Sequence, residues 1–154
     1  MSVEITFEQS VSVSLPANKA FGYVSDLANM VDWSNVLIAV RQLTPAPVCV
    51  GTTLRSTFRF LGKWLDITFE VVGYEPDRYV AFKSIAGGGP CFLCFHLDER
   101  EGGGTTIREE ANMHLIEGIL YQLEEKVIVS AIRRQFEYDL LTLKDMLESK
   151  PSAE

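Results

Sequence analysis

The segment that runs from residue 3 to residue 33 limits the possible folds of this chain more than any other part of the sequence. In residues 3–15 every odd position except Gln9 is apolar and every even position is polar, which predicts a β-strand with one buried face. Pro16 suits the first position of a helix, because its missing N–H would have no partner there. Asp26 is a candidate N-cap for a second short helix that ends near Trp33. One long strand, two short helices and then further strands is an unusual order of elements, and it points to one superfold.

The middle of the chain predicts a series of antiparallel strands. Apolar alternation bounded by turn residues places strands at residues 36–43, 52–60, 63–74, 79–85, 91–98 and 105–116. The last two are joined by the glycine-rich segment 101–104. Because most connections are short, neighbouring strands are expected to pair antiparallel.

After Gly118 the apolar period changes from two to 3.6. This predicts a helix over residues 119–149, about 45 Å long at 1.5 Å per residue. The helix is too apolar to stand free, so it should lie across the concave face of the sheet. Its predicted apolar stripe consists of Leu120, Leu123, Val127, Ala131, Gln135 or Phe136, Leu140, Leu143 and Leu147.

Composition and charge favour one domain and exclude several classes of partner. The chain has 154 residues, 47% of them hydrophobic, which predicts a single domain over residues 1–150 followed by a tail at 151–154. A net charge of −7 argues against nucleic acid, whose phosphates need clustered Lys and Arg. No apolar run is long enough for a transmembrane segment, and no secretory signal is visible. We therefore expect a cytoplasmic protein, either a monomer or a homodimer.

The cysteines and histidines predict no metal site and no cofactor. Cys91 and Cys94 have CxxC spacing, but they lie in a predicted strand, where positions three apart point to opposite faces. A zinc site with four protein ligands would need a second paired motif, and Cys49, His96 and His114 are unpaired in sequence. The expected role of the cysteines is therefore that of small apolar residues. Both histidines fall on the solvent-facing side of their strands.

Short motifs recur in a specific order from about residue 3 to residue 148. They are Leu15-Pro16-Ala17, Ala20-Phe21, Tyr23 to Leu27, Asn29, Trp33, Gly51-Thr52, Tyr74 to Arg78, Gly104 to Thr106, and Leu143 to Glu148. In this order they resemble the START/Bet v 1-like (SRPBCC) superfamily, and within it the bacterial polyketide cyclase/dehydrase-like proteins. The resemblance implies an α+β helix-grip fold: a curved antiparallel sheet of about seven strands wrapped on a long C-terminal helix, with two short helices after strand one.

The resemblance also implies a cavity between the long helix and the sheet, with an entrance near the loops at residues 86–90 and 30–33. Combined with the alternation of the strands, it gives a set of candidate ligand-binding residues. They are Trp33, Ser56, Phe58, Phe69, Phe82, Phe95, Glu109, Met113, Leu120, Leu123 and Val127.

Three functions are compatible with this sequence. The first is binding of a hydrophobic small molecule, such as a lipid, a quinone or a polyketide-like compound. The second is a cyclase/dehydrase enzyme that uses a cavity carboxylate, and the third is a protein-interaction module. In aromatase/cyclase relatives an inward arginine is often implicated, whereas Arg55 and Arg59 fall on the polar face of their strand. No catalytic motif is identifiable.

Glu109 is the one inconsistency in the apolar pattern of its strand, because it falls between Ile107 and Ala111 on the inward face. A bulge could turn it outward, or it could pair with a buried donor such as Tyr121 or Tyr23. It could also line the cavity, contact the ligand or act as a general base, which makes it a candidate catalytic residue. If it is buried without a cation, its pKa should be raised. The base and the hydrogen-bond donor that a cyclase needs could come from Glu109, Tyr23, Ser56 and Ser84.

Overall fold

The computed structural model describes residues 2–116 and 123–149. Its centre is a curved sheet whose paired strands are all antiparallel. The strands are β1 (Ser2–Val13), β2 (Leu37–Gln42), β3 (Thr53–Phe60), β4 (Lys63–Glu75), β5 (Tyr79–Ala86), β6 (Cys91–Glu99) and β7 (Thr105–Ile116). Their order across the sheet is β1-β7-β6-β5-β4-β3-β2, which confirms the predicted antiparallel architecture of seven strands.

The two short helices follow β1 as predicted. Helix α1 spans Ala17–Val24, so Pro16 is its N-cap residue rather than its first helical residue. A 3-10 helix spans Leu27–Asp32, and the side chain of Asp26 accepts a hydrogen bond from the backbone N–H of Ala28 at 3.0 Å. This bond confirms the predicted N-cap.

The C-terminal helix, α2, spans Glu125–Ser149 and begins later than predicted. The N–H groups of Val127 and Ile128 both donate to the carbonyl oxygen of Glu124, so the first turn forms after that residue. Residues 119–122 of the predicted helix lie outside the described residues, and residues 123 and 124 are not helical. At 25 residues the helix is about 37 Å long at 1.5 Å per residue.

The buried stripe of α2 is shifted by one residue in its N-terminal half. Ile128 and Ile132 are buried where Val127 and Ala131 were predicted, whereas Leu140, Leu143 and Leu147 are buried as expected. The predicted stripe and the observed one are both compatible with helical spacing. Packing of the helix on the sheet surface below it determines which of the two stripes is buried.

Helix α2 packs against β1 and covers the inner face of the sheet. The rings of Phe7 and Phe136 meet edge to face with their centroids 4.7 Å apart. At the far end of the helix, the carboxylate of Glu148 accepts a hydrogen bond from the N–H of Ser14 at 3.0 Å. No helix in residues 2–116 or 123–149 is long and apolar enough to cross a membrane.

The core lies between the inner face of the sheet and the helices. The strands contribute alternate residues to it, as the period of two predicts. The inward strand residues that are buried include Ile5, Val13, Leu54, Ile67, Phe69, Val71, Val80, Phe82, Leu93, Phe95, Leu97, Ile107, Ala111 and Met113.

Candidate functional site

A cavity of about 100 Å³ lies between the sheet, the 3-10 helix and α2. Most of the side chains around it are apolar, since they come from the inward faces of β3 to β7 and from the buried face of α2. The lining residues are Leu27, Met30, Ser34, Val36, Phe58, Phe60, Leu65, Ile67, Phe69, Phe82, Gly88, Pro90, Cys91, Leu93, Met113, Ile132, Gln135, Phe136 and Asp139. Such a wall suits an apolar ligand with few polar groups.

One end of the cavity lies close to the surface. Its wall there consists of the partly exposed Phe58, Phe60 and Leu65, together with the exposed Pro90. The deep wall, by contrast, is formed by buried residues such as Phe82. The predicted entrance loops both contribute, since Met30, Gly88 and Pro90 line the cavity.

The loop between β5 and β6 is held by Ser84, which lies near the end of β5. The hydroxyl of Ser84 donates to the carbonyl of Gly89 at 3.3 Å and accepts from the N–H of Cys91 at 2.8 Å. Ser84 therefore closes the loop on itself and is not among the cavity-lining residues.

The polar corner of the cavity is formed by Asp139 of α2. Its carboxylate accepts hydrogen bonds from the hydroxyl of Ser34 at 3.2 Å and the side-chain amide of Gln135 at 2.8 Å. Asn35 adds its backbone N–H at 3.1 Å and its side-chain amide at 3.3 Å. Burial raises the pKa of Asp139 even though these four donors lower it. The corner fixes α2 against the end of the 3-10 helix and places a carboxylate at the cavity wall.

Asp139 is absent from the site residues predicted from the sequence, although the sequence carries a signal for it. On α2 the residue lies four positions after Gln135 and four before Leu143, so it occupies the apolar stripe. The predicted stripe passed from Phe136 to Leu140 and skipped this position. An acid on the buried face of a helix is the same kind of inconsistency that drew attention to Glu109.

Glu109 is fully buried and points inward, so the hypothesis that a bulge turns it outward is wrong. No register shift occurs where the described residues of β7 pair with β1 and β6. Its cross-strand neighbour on β1 is Gln9, the exception in the apolar pattern of that strand, and the Gln9 amide donates to Glu109 Oε1 at 3.3 Å. The second oxygen, Oε2, has no hydrogen-bond partner among the described residues.

The environment of Glu109 favours its protonated form. Desolvation by burial, together with a smaller effect of the charge of Asp139, raises the pKa of Glu109 to about 8. The hydrogen bond from Gln9 opposes this rise. This is the direction that the sequence predicted for a buried carboxyl without a cation. Glu109 nevertheless does not line the cavity, so the carboxylate at the wall belongs to Asp139.

Of the two tyrosines proposed as partners of Glu109, Tyr23 makes a hydrogen bond to a different carboxylate. The hydroxyl of Tyr23 donates to the carboxylate of Asp32 at 3.2 Å. Tyr121 lies outside the described residues. The sequence could not identify Gln9 as the partner, because the two residues are 100 positions apart and meet only through the register of β1 on β7.

The predicted lining residues divide into four groups. Phe58, Phe69, Phe82 and Met113 line the cavity. Trp33, Ser56, Phe95 and Glu109 are buried elsewhere in the core, and Leu120 lies outside the described residues. The prediction is wrong for Leu123 and Val127, which are exposed by 39% and 44%, because Leu123 precedes the helix and Val127 lies off its buried stripe.

Trp33 and Phe95 are buried together beside the cavity. Their ring centroids are 6.1 Å apart in an edge-to-face arrangement. Phe95 is also the cross-strand neighbour of Glu109 on β6. This pair packs the 3-10 helix onto the sheet, which explains why Trp33 belongs to the core and not to the cavity wall.

Comparison with known proteins gives a family match over most of the chain. The model of a family described as polyketide cyclase/dehydrase and lipid transport matches residues 4–148. A search of curated proteins found no match.

Several solved structures share the fold. The Zhui aromatase/cyclase from Streptomyces sp. R1128 is 14% identical with a TM-score of 0.78, and the match covers 97% of this chain and 98% of that one. A START superfamily protein from Mycobacterium smegmatis is 13% identical with a TM-score of 0.76, covering 93% and 97%. A protein from Thermus thermophilus is 17% identical with a TM-score of 0.75, covering 94% and 96%. At such identities the likeness concerns the fold and not the function.

Proposed function

Because the chain belongs to the family of polyketide cyclase/dehydrase and lipid-transport proteins, we propose that it binds a hydrophobic small molecule in its internal cavity. A lipid, a quinone or a polyketide-like compound has the required chemistry. The observation that carries the proposal is the cavity itself, about 100 Å³ of space walled almost entirely by apolar side chains. Burial of apolar surface in such a wall is the driving force for binding.

The size of the cavity limits how the ligand is held. Drug-sized ligands occupy pockets of roughly 300–1,000 Å³, and an engineered apolar cavity of about 150 Å³ takes up benzene. A volume of about 100 Å³ therefore accommodates a small ring or a short alkyl chain, and the rest of a larger ligand extends past Phe60 and Leu65 toward the surface. The polar corner at Asp139 and Gln135 orients any hydroxyl or carbonyl that reaches it.

A homologous series of straight-chain alcohols tests this proposal by isothermal titration calorimetry. Each methylene that enters the apolar wall contributes about 0.8 kcal/mol, so the Kd should fall about fourfold per added carbon. The improvement should stop at the chain length that fills the cavity. Native mass spectrometry of the purified protein, examined for a co-purified molecule, identifies the natural ligand class.

A matched pair of variants on β4 locates the binding site. Leu65→Trp fills the outer end of the cavity, whereas Val72→Trp adds the same side chain at a residue that is 40% exposed and outside the cavity wall. Leu65→Trp should weaken binding of the longer alcohols at least about tenfold, and Val72→Trp should not. Equal binding by both variants, or a Kd that does not depend on chain length, would refute the proposal.

The second candidate function is a cyclase or dehydrase, and the position of Asp139 favours it. A carboxylate at the wall of an apolar cavity, with its pKa raised by burial, is suited to proton transfer. Arg55 and Arg59 do not contribute, because Arg55 pairs with Asp66 on the exposed face and Arg59 stacks over the exposed Trp64.

Turnover of an aromatic polyketide-type substrate distinguishes the enzyme from the carrier. Asp139→Asn keeps the shape of the corner and should abolish turnover while the substrate still binds. Glu109→Gln changes a buried acid outside the cavity wall and should leave turnover intact. Full activity of Asp139→Asn would eliminate the enzyme hypothesis in this form.

A further inference from the structure

Three metal-ligating side chains meet on the outer face of the sheet, away from the cavity. The sulfur of Cys94 lies 3.6 Å from Nε2 of His96 and 3.7 Å from Oε1 of Glu110. The same histidine nitrogen lies 2.7 Å from Glu110 Oε1. All three donor atoms fall within 4.8 Å of one another.

The strands bring these residues together rigidly. Cys94 and His96 are two apart on β6, so they share a face, and Glu110 is the cross-strand partner of Cys94 on β7. In the sequence, Cys94 has CxxC spacing with Cys91, but residues three apart on a strand point to opposite faces. The relevant combination spans two strands, and only the sheet register shows it.

We propose that Cys94, His96 and Glu110 form a binding site for a divalent zinc ion. In a tetrahedral site with Zn–S of about 2.3 Å and Zn–N or Zn–O of about 2.0–2.1 Å, the ligand atoms lie about 3.3–3.6 Å apart. The two distances from Cys94 Sγ, 3.6 and 3.7 Å, lie within about 0.1 Å of this range. His96 and Glu110 must separate by about 0.6 Å, which a small rotation of the Glu110 side chain, 41% exposed, supplies.

The fourth coordination position faces solvent. The side chain of His96 is 30% exposed and that of Glu110 is 41% exposed, so water reaches the open side of the site. Three protein ligands with a water at the fourth position are a known arrangement for zinc. A thiolate, an imidazole and a carboxylate together favour Zn²⁺ over Mg²⁺ or Ca²⁺, which prefer oxygen ligands alone.

Neighbouring residues hold the histidine in place. The ring of Tyr79 packs against His96 with centroids 4.8 Å apart. Gly73 leaves room for that ring, since a Cβ at Gly73 would lie 2.6 Å from Tyr79 Cε2. Contacts of this kind orient metal ligands and strengthen binding.

The thiol must lose its proton when the ion binds. Burial and the nearby Glu110 raise the pKa of Cys94 to about 11, so the thiol is protonated at neutral pH. Coordination replaces the S–H bond with a Zn–S bond and releases one proton to solvent. No electrons are transferred, because Zn²⁺ has no redox chemistry.

Arg108 competes with the ion for Glu110. Its guanidinium lies 3.0 Å from Glu110 Oε1 and 3.1 Å from the carboxylate of Glu8. Metal binding transfers Glu110 to the ion and leaves Arg108 with Glu8. Removal of this competitor should therefore tighten zinc binding, although the arginine is not itself a ligand.

Titration with Zn²⁺ against a chromophoric chelator, and with Co²⁺ as a spectroscopic substitute, tests the site on the intact protein. We expect one equivalent of Zn²⁺ per chain and a thiolate-to-cobalt charge-transfer band in the near ultraviolet. Cys94→Ser should abolish that band, and His96→Gln should raise the Kd at least about tenfold. Arg108→Gln should lower the Kd severalfold.

Matched controls separate this site from adventitious binding. Cys49→Ser removes an exposed cysteine, and His114→Gln removes the other histidine, which lies 3.5 Å from Glu4 on the same face. Both variants should keep the wild-type stoichiometry, Kd and cobalt band. Absence of the band in the wild-type protein, or its loss in Cys49→Ser, would overturn the proposal. Because the His96 side chain is partly exposed, His96→Gln should fold even if Cys94→Ser does not, and it then tests the site alone.

Discussion

Replacement of Glu109 by glutamine should change how the stability of this protein depends on pH. In the folded state burial raises the pKa of Glu109 from its ordinary value of 4.5 to about 8. Each pH unit between these values corresponds to about 1.4 kcal/mol, so the full difference is on the order of 5 kcal/mol. This is a large fraction of the 5–15 kcal/mol that typically stabilises a domain.

The direction in which stability changes with pH follows from the number of protons that each state binds. Between pH 4.5 and about 8 the folded chain keeps the proton on Glu109, whereas the unfolded chain has released it. The unfolded state therefore binds fewer protons, and the free energy of unfolding falls as the pH rises. The contribution of protonated Glu109 to the free energy of unfolding is fully present below pH 4.5. It decreases as the pH rises above 4.5 and is lost once the pH passes about 8. Glu109→Gln removes this dependence and preserves an acceptor for the amide of Gln9.

Urea denaturation followed by tryptophan fluorescence measures the effect. The unfolding free energies of wild type and Glu109→Gln should converge near pH 5, and the variant should gain about 1.4 kcal/mol over the wild type with each pH unit up to about 8. The difference in unfolding free energy between the two proteins reports the titration of Glu109 together with its electrostatic coupling to Asp139. Burial also raises the pKa of Asp139.

A control substitution at Glu101, in the exposed turn between β6 and β7, tests for general effects of losing a carboxylate. Glu101→Gln should follow the wild-type curve. If the difference between wild type and Glu109→Gln stays constant within about 1 kcal/mol from pH 5 to 8, the burial argument for Glu109 is refuted.

Three further substitutions, one of them with a matched control, test the fold. Leu143→Ala removes a fully buried side chain and should lower the free energy of unfolding, measured by urea denaturation, by about 2–5 kcal/mol. Its control on the same helix is Leu141→Ala, at a residue that is 55% exposed, which should change that free energy by less than about 0.5 kcal/mol. Asp26→Ala removes the N-cap of the 3-10 helix and should cost about 1 kcal/mol by the same assay; no loss would show that the cap bond does not stabilise the helix. Gly87→Ala should lower the Tm, because its φ is +83° and the new Cβ would lie 2.1 Å from the carbonyl oxygen of Asp66; an unchanged Tm would contradict the close packing of this loop on β4.

The sequence determined the elements and most of their faces. Apolar alternation placed seven strands within about two residues of their observed ends, and Asp26 marked the start of the 3-10 helix. These features are local, because a period of two or 3.6 and a capping side chain act within a few residues. The same local logic showed that Gln9 and Glu109 are exceptions on buried faces.

Tertiary structure decided which of those residues meet. Strand register joined Gln9 to Glu109 across 100 positions, and the same register brought Glu110 to Cys94 and His96. The rotation of α2 on the sheet buried Ile128 and not Val127. It also carried Asp139 into the cavity wall. Neither register nor rotation is encoded in a short window of sequence, because both depend on contacts between surfaces that are far apart in the chain.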